Sequence, residues 1–279
     1  MSKMSLSQLA LQSLLYEVSV QPKPGLVDPV SSGPHFDMNV FTFIKSALSL
    51  QDYFQQCESL GYKFDQKDLT QLFQQVRFVG IKAEQQMLEA TGGVNTHKGA
   101  VFSLGIAVSA KAYEQKHQHQ DFSAIVQQML QNLLKDDFQV SKLQQQAHLT
   151  AGQRLYLQYG LTGIRGEAQQ GFPTVTKWAL PFLKKSTGTI NQRLLDTLMV
   201  ILLHSQDTNL IKRAQTPQVI MWAQTQARQF LNLGGAKNPA GWQFLQELNH
   251  IFLEKNLSLG GSADLLILTI FLALLEQVL

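Results

Sequence analysis

KDLTQLFQQVRFVGIKAEQQMLEATGG, residues 67–93, decides the fold class. Its apolar residues recur at the 3.6-residue period of an amphipathic helix, and the run is far too long for a strand. The pattern opens after Asp65 and closes at Thr91-Gly92-Gly93, where glycine allows the chain to turn. The same period recurs to either side, giving helix candidates over about 5–20, 37–60, 97–115, 121–135, 139–159, 173–186, 190–206, 216–233, 239–255 and 262–278. Asp37 is a plausible N-cap for the second of these, and Gly61 its stop. No run of alternating strand residues stands out, and no Ser/Gly-rich linker divides the chain. The expectation is one all-α domain over residues 1–279.

Composition narrows the functional classes. Of the 279 residues, 44% are hydrophobic and only 15% charged, below the roughly 25% usual for a soluble domain. Glutamine fills the gap at Gln55-Gln56, Gln74-Gln75, Gln85-Gln86 and Gln144 to Gln146, which read as neutral helix surface. A net charge of +3, thinly spread, argues against a nucleic-acid groove but allows local cationic sites for phosphorylated small molecules. The single cysteine, Cys57, excludes an internal disulfide and a multi-thiolate zinc site, and fits a reduced, cytoplasmic setting. The first residues lack the apolar run of a signal peptide. Leu265 to Leu275, bounded by Asp264 and Glu276, falls short of the roughly 18 residues of a membrane span and reads as a buried helix.

The chemistry gathers in the corners between helices. Six stretches combine glycine with charged or amide side chains: Pro22 to Asp28, Gly33 to Met38, Thr91 to Gly99, Gly163 to Ala168, Asp207 to Asn209 with Arg213, and Gly260 to Leu266. At Thr91 to Gly99, Asn95 or Thr96 caps a helix whose first turn carries His97 and Lys98. Point charge, imidazole and free amides together suit a phosphate. Pro22 and Pro24 force a rigid loop that presents Lys23 and Asp28, followed by His35 and Asp37. Glu84 lies about two turns before the Thr91 corner, between Ile81 and Leu88. Arg165 either pairs locally with Glu167 or clamps phosphate oxygens bidentately. Asp207 and Asn209 either cap a helix or offer oxygens to a magnesium ion held mainly by phosphates. Ser262 or Asp264 reads as an ordinary cap of the last helix. His117, His119, His148, His204 and His250 carry no metal spacing. No G-x-x-x-x-G-K-[ST] or G-x-G-x-x-G occurs, which disfavours a P-loop kinase and a dinucleotide fold.

In this order, and over residues 17–266, the six stretches resemble the motif set of the triphosphoribosyl-dephospho-CoA synthases. The nearest matches are Pro-Lys-Pro-Gly-Leu-Val-Asp (22–28), Thr-Gly-Gly-Val-Asn-Thr-His-Lys-Gly (91–99), Gly-Ile-Arg-Gly-Glu-Ala (163–168) and Asp-Thr-Asn (207–209). Two departures stand out: Ala214-Gln215 follows Arg213 where the family tends to have glycines, and Ser258-Leu259 replaces its frequent Ser-Pro. The resemblance implies a pentosyltransferase that joins ATP to 3′-dephospho-CoA and releases adenine. Its product is the prosthetic-group precursor of the acyl carrier subunit of citrate lyase or malonate decarboxylase, attached by a separate transferase. A homodimer is left open.

Breaking the N-glycosidic bond of ATP requires no phosphoryl transfer, in keeping with the missing P-loop. It asks for cations at the triphosphate, and Lys23, Lys98, Arg165 and Arg213 with magnesium are the candidates; Asn95, His97, Glu167 and Asn209 join them as nucleotide-binding residues. It asks also for carboxylates near an oxocarbenium-like sugar and for a proton acceptor and a proton donor. By analogy with inverting glycosidases, Glu84 is assigned as base and Asp37 or His35 as the group that protonates adenine. Asp28, Asp207 and Asp264 are assigned to magnesium or ribose. Two rivals are a helical nucleotide N-glycosidic hydrolase using water as acceptor, and a non-catalytic nucleotide-binding protein; the first would release adenine without dephospho-CoA, the second would release none.

Overall fold

The computed structural model describes residues 4–117, 121–143 and 148–279. His119 and Gln144 to Gln146 lie outside them. The helices are α1 Leu6–Ser19, α2 Val40–Ser49, α3 Gln51–Lys63, α4 Leu69–Ala90, α5 Lys98–His117, α6 Phe122–Met129, α7 Leu133–Asp137, α8 Val140–Leu143, α9 Ala151–Tyr159, α10 Gly163–Gln169, α11 Leu180–Lys185, α12 Ile190–His204, α13 Thr208–Ala214, α14 Val219–Asn232, α15 Pro239–Glu254 and α16 Gly260–Leu275. A π-helical turn over Thr174–Ala179 leads into α11, and a 3₁₀ turn over Gly235–Lys237 precedes α15. Among the described residues there is no strand. The fold is all-α, and no helix among them is long and apolar enough to cross a membrane.

One core runs from Leu6 to Leu274. Its axis is α16, buried along one whole run from Leu265 to Leu274, which explains an apolar stretch with no polar face. α1 and α5 lie against α16, and α3 packs on α5. Gly61 serves that last contact: a Cβ there would overlap the Ser109 carbonyl of α5. It is therefore a point of close helix approach, and α3 runs on to Lys63 before ending. This corrects the reading of Gly61 as a stop.

Other boundaries differ from the sequence expectation as well. The 37–60 segment is two helices, broken at Leu50 (φ −93°, ψ 1°), and its N-cap is Asn39, reciprocally bonded with Thr42, not Asp37. The 121–135 segment breaks at Leu130. Residues 163–169 and 208–214 form short helices where corners were expected. Each is under two full turns beyond its caps, too short for a period to show in sequence.

Candidate active site

Two adjoining cavities, of about 920 and 700 Å³, open on one side of this core. Asn95, Lys98, Gly99, Asn209, Lys212 and Asp264 line both, and form the seam between them. All six glycine corners reach this double cavity. The 163–167 corner lines the first cavity, and Pro34 to Met38 the second. Residues 95–99, 207–213 and 260–264 contribute to both, and the Pro22 corner reaches the second through Leu26 and Val27.

The seam is built from two helix starts. Asn95 Oδ1 accepts the Lys98 amide at the start of α5, and Lys98 Nζ pairs with Glu84 Oε2 across 2.7 Å. α4 thus delivers Glu84 to the first cavity, two turns below its own glycine end. Opposite, α16 begins at Gly260 with no cap of its own. Asp207 supplies it: Oδ1 accepts from the amides of Asn209, Leu210 and Gly261, and Oδ2 from the amide and hydroxyl of Ser262. One carboxylate therefore caps α13 and α16 together and fixes Asn209 and Lys212 relative to Asp264. This corrects two expectations, since Asp207 has no lone pair left for magnesium and Ser262 is capped rather than capping.

Asp264 lies where the two helix starts meet, its carboxyl against Gly99 and close to the Ala100 amide. Burial, and then the nearby Asp207 and Glu17 carboxylates, push it well above the usual carboxyl range. It holds a proton at pH values where an ordinary aspartate has lost one, which fits a proton donor better than the metal ligand expected. A Cβ at position 99 would fall inside that carboxyl, so a side chain there displaces it. Gly99→Ala is expected to leave Tm within a few degrees, since alanine favours the helix by about 1 kcal/mol, while kcat falls at least tenfold as Asp264 is displaced. Melting curves and adenine-release rates on the same variant check it.

The other expected residues divide. Lys23 and Asp28 line neither cavity. Lys23 is buried in an ion pair with the Glu17 side chain and also bonds the Glu17 carbonyl at 2.7 Å. Asp28 accepts from the amides of Lys23, Val30 and Ser31, which shapes its own loop. Neither is placed to meet a phosphate or a metal. Arg165 does not pair with Glu167: its Nε bonds Asp137 at 2.8 Å, and Arg77 takes the other Asp137 oxygen at 2.9 Å. Glu167 accepts the Thr174 amide at 2.6 Å, and burial raises its carboxyl. Arg165 and Glu167 both line the first cavity.

In the second cavity, Arg213 donates to the Pro34 carbonyl, to Asn256 and to His35 Nδ1 at 3.0 Å, tying the 33–38 loop to the 256 turn. Burial and the Arg213 charge lower His35, whose imidazole acts here as an acceptor. Asp37 is exposed and makes no hydrogen bond or ion pair among the described residues. Gln215, two residues after Arg213, takes φ +57°, a left-handed cap that an ordinary side chain adopts only at a cost.

Sequence reasoning gave no site role to Lys212, on the seam without an ion-pair partner among the described residues, or to Glu17, the buried counter-ion of Lys23. It also passed over Trp178, whose ring stacks on His204 at 3.9 Å in the first cavity. Only the Lys212-Arg213 pairing carried a signal. Among the described residues, no cluster of three or more His, Cys, Asp or Glu is arranged to hold a metal ion.

A family model described as CitG, ATP:dephospho-CoA triphosphoribosyl transferase, matches residues 3–279. The chain belongs to this family. A Lactiplantibacillus plantarum protein named "Probable 2-(5''-triphosphoribosyl)-3'-dephosphocoenzyme-A synthase" is 57% identical over 97% of this chain and 96% of its own. A Streptococcus equi protein of the same name is 39% identical over 98% and 97%. Protein CitXG of Leuconostoc mesenteroides is 48% identical over 98% of this chain, which spans only 59% of that relative. No solved structure matches.

Proposed function

We propose that this chain transfers the triphosphoribosyl group of ATP to the 2′-hydroxyl of 3′-dephospho-CoA and releases adenine, making the prosthetic-group precursor used by citrate lyase. The bond from the ribose anomeric carbon to adenine N9 breaks, and a bond from that carbon to the acceptor oxygen forms. The hydroxyl proton leaves and adenine gains one. The observation that carries this reading is the double cavity: six separated corners converge on two compartments, as a reaction joining two nucleotides requires.

Two carboxyls border the Lys98 corner in different surroundings. Glu84, a carboxylate paired with Lys98, takes the hydroxyl proton. Asp264, kept protonated by its surroundings, gives one to the departing adenine in place of His35, which is occupied by Arg213. Lys98 on the seam and Arg165 and Arg77 in the first cavity face the triphosphate. Magnesium would enter with the triphosphate as its counter-ion; Asp207 already accepts five hydrogen bonds and Asp28 three from its own loop. A downstream transferase on an acyl carrier protein would consume the product.

The deciding experiment is incubation with ATP, magnesium and dephospho-CoA, followed by mass spectrometry. Free adenine and adduct in equal amounts, dependent on dephospho-CoA, are expected. Adenine released without the acceptor would point to a hydrolase instead, and ATP binding with no adenine to a sensor.

A further inference from the structure

His97 is 1% exposed, lines the second cavity, and leaves its Nε2 without any hydrogen-bond partner. The rest of the ring is fixed. Thr96 Oγ1 donates to Ser46 Oγ at 2.6 Å, and the Ser46 hydroxyl lies 2.6 Å from His97 Nδ1. With one lone pair of Ser46 taken by Thr96, its own proton is available to Nδ1, and in that tautomer the His97 proton sits on Nε2. Phe43 packs edge-on against the ring at 4.9 Å. Burial and the Lys23 charge lower the imidazole to about 3, so it is neutral in the working range. The result is a rigid, uncharged N–H donor lacking an acceptor among the described residues, an unfavourable state when nothing fills it.

The walls around it include Leu26, Val27, Phe43 and Ile267. A neutral donor among apolar walls suits an uncharged acceptor such as an amide carbonyl or a hydroxyl better than a phosphate, which calls for a cation in direct contact. The same cavity is lined by Lys212 and Arg213, neither in an ion pair among the described residues. A ligand with an amide-bearing, largely apolar arm next to a diphosphate matches both features. Its volume of about 700 Å³ fits a small-molecule site.

We propose that the second cavity holds the phosphopantetheine arm of dephospho-CoA, with His97 Nε2–H donating to an arm carbonyl or hydroxyl and Lys212 and Arg213 meeting the diphosphate. The adenosine end then crosses the seam towards Glu84, and ATP occupies the first cavity. His97 becomes an acceptor-binding residue and not the phosphate ligand expected from its place beside Lys98. This assignment rests on the reaction proposed above.

Two measurements test it. In the wild-type protein, 4′-phosphopantetheine should inhibit competitively against dephospho-CoA and not against ATP; competition with ATP, or no inhibition at all, overturns the assignment. His97→Phe keeps the ring and removes the donor. It should raise the KM for dephospho-CoA about tenfold, leave the KM for ATP within twofold, and leave the affinity for ADP, which lacks the arm, unchanged. A raised ATP KM with an unchanged acceptor KM would place the triphosphate in the second cavity instead. Failure of the wild-type protein to release adenine at all would remove the reaction itself, a result read before any variant is made.

Discussion

Asp264→Asn is expected to lower kcat for adenine release by about 10²–10⁴-fold, the usual contribution of a general acid, while making the protein more stable at neutral pH. Both effects come from one location. The carboxyl lies on the seam beside Asp207 and Glu17, and burial together with these charges raises it well above the usual range. A carboxyl whose folded pKa is raised binds its proton more tightly in the native state. Its share of stability is therefore intact below the unfolded pKa and is lost as pH climbs through the folded value. The wild-type protein should lose stability over that window and the asparagine variant should not. Asparagine matches the side chain in size and keeps an oxygen towards the Ala100 amide. Melting curves from pH 4 to pH 8 should show the gap in favour of the variant widening with pH, at roughly 2–4 °C for each kcal/mol recovered. A variant that turns over normally, or melts lower at pH 8, would remove Asp264 from the chemistry.

Glu84→Gln should abolish turnover to a similar degree, by about 10²–10⁴-fold in kcat, with ATP still bound. Glutamine matches the side chain in size and keeps an oxygen towards Lys98, 2.7 Å away in the wild-type pair. What it loses is the ability to accept the hydroxyl proton. With its carboxylate partner gone, Lys98 is freer to meet a polyphosphate, so ATP affinity should hold or improve. Equilibrium binding of ATP with single-turnover rates separates the cases. A raised KM with kcat intact would make Glu84 a positioning residue for Lys98.

The fold class was readable because helices longer than two turns imprint a period on the chain, as residues 69–90 do. So were the corners, since glycine and capping residues mark where such helices end. The functions of individual charges within those corners were not readable. Lys23 looks like a phosphate ligand until Glu17, on the buried side of α1, is found to hold it. Asp207 looks like a metal ligand until the uncapped start of α16 is found against it, 55 residues on. In both, the deciding partner is remote in sequence or inside the core, and local pattern carries neither fact. Gly61 shows the same limit from the opposite direction: a residue that reads as local punctuation is used for contact with another helix.

The adjoining cavities also bear on how the finished compound leaves. Once the new glycosidic linkage exists, the occupants of the two compartments are a single molecule that retains the contacts each half made alone, minus those of the departed base. Letting go then requires both halves to detach together, a chelate-like hold far tighter than either half could exert. With ATP and the acceptor in the two compartments as proposed, escape of the adduct, rather than rupture of the sugar–purine bond, is expected to be the slow event in repeated cycles.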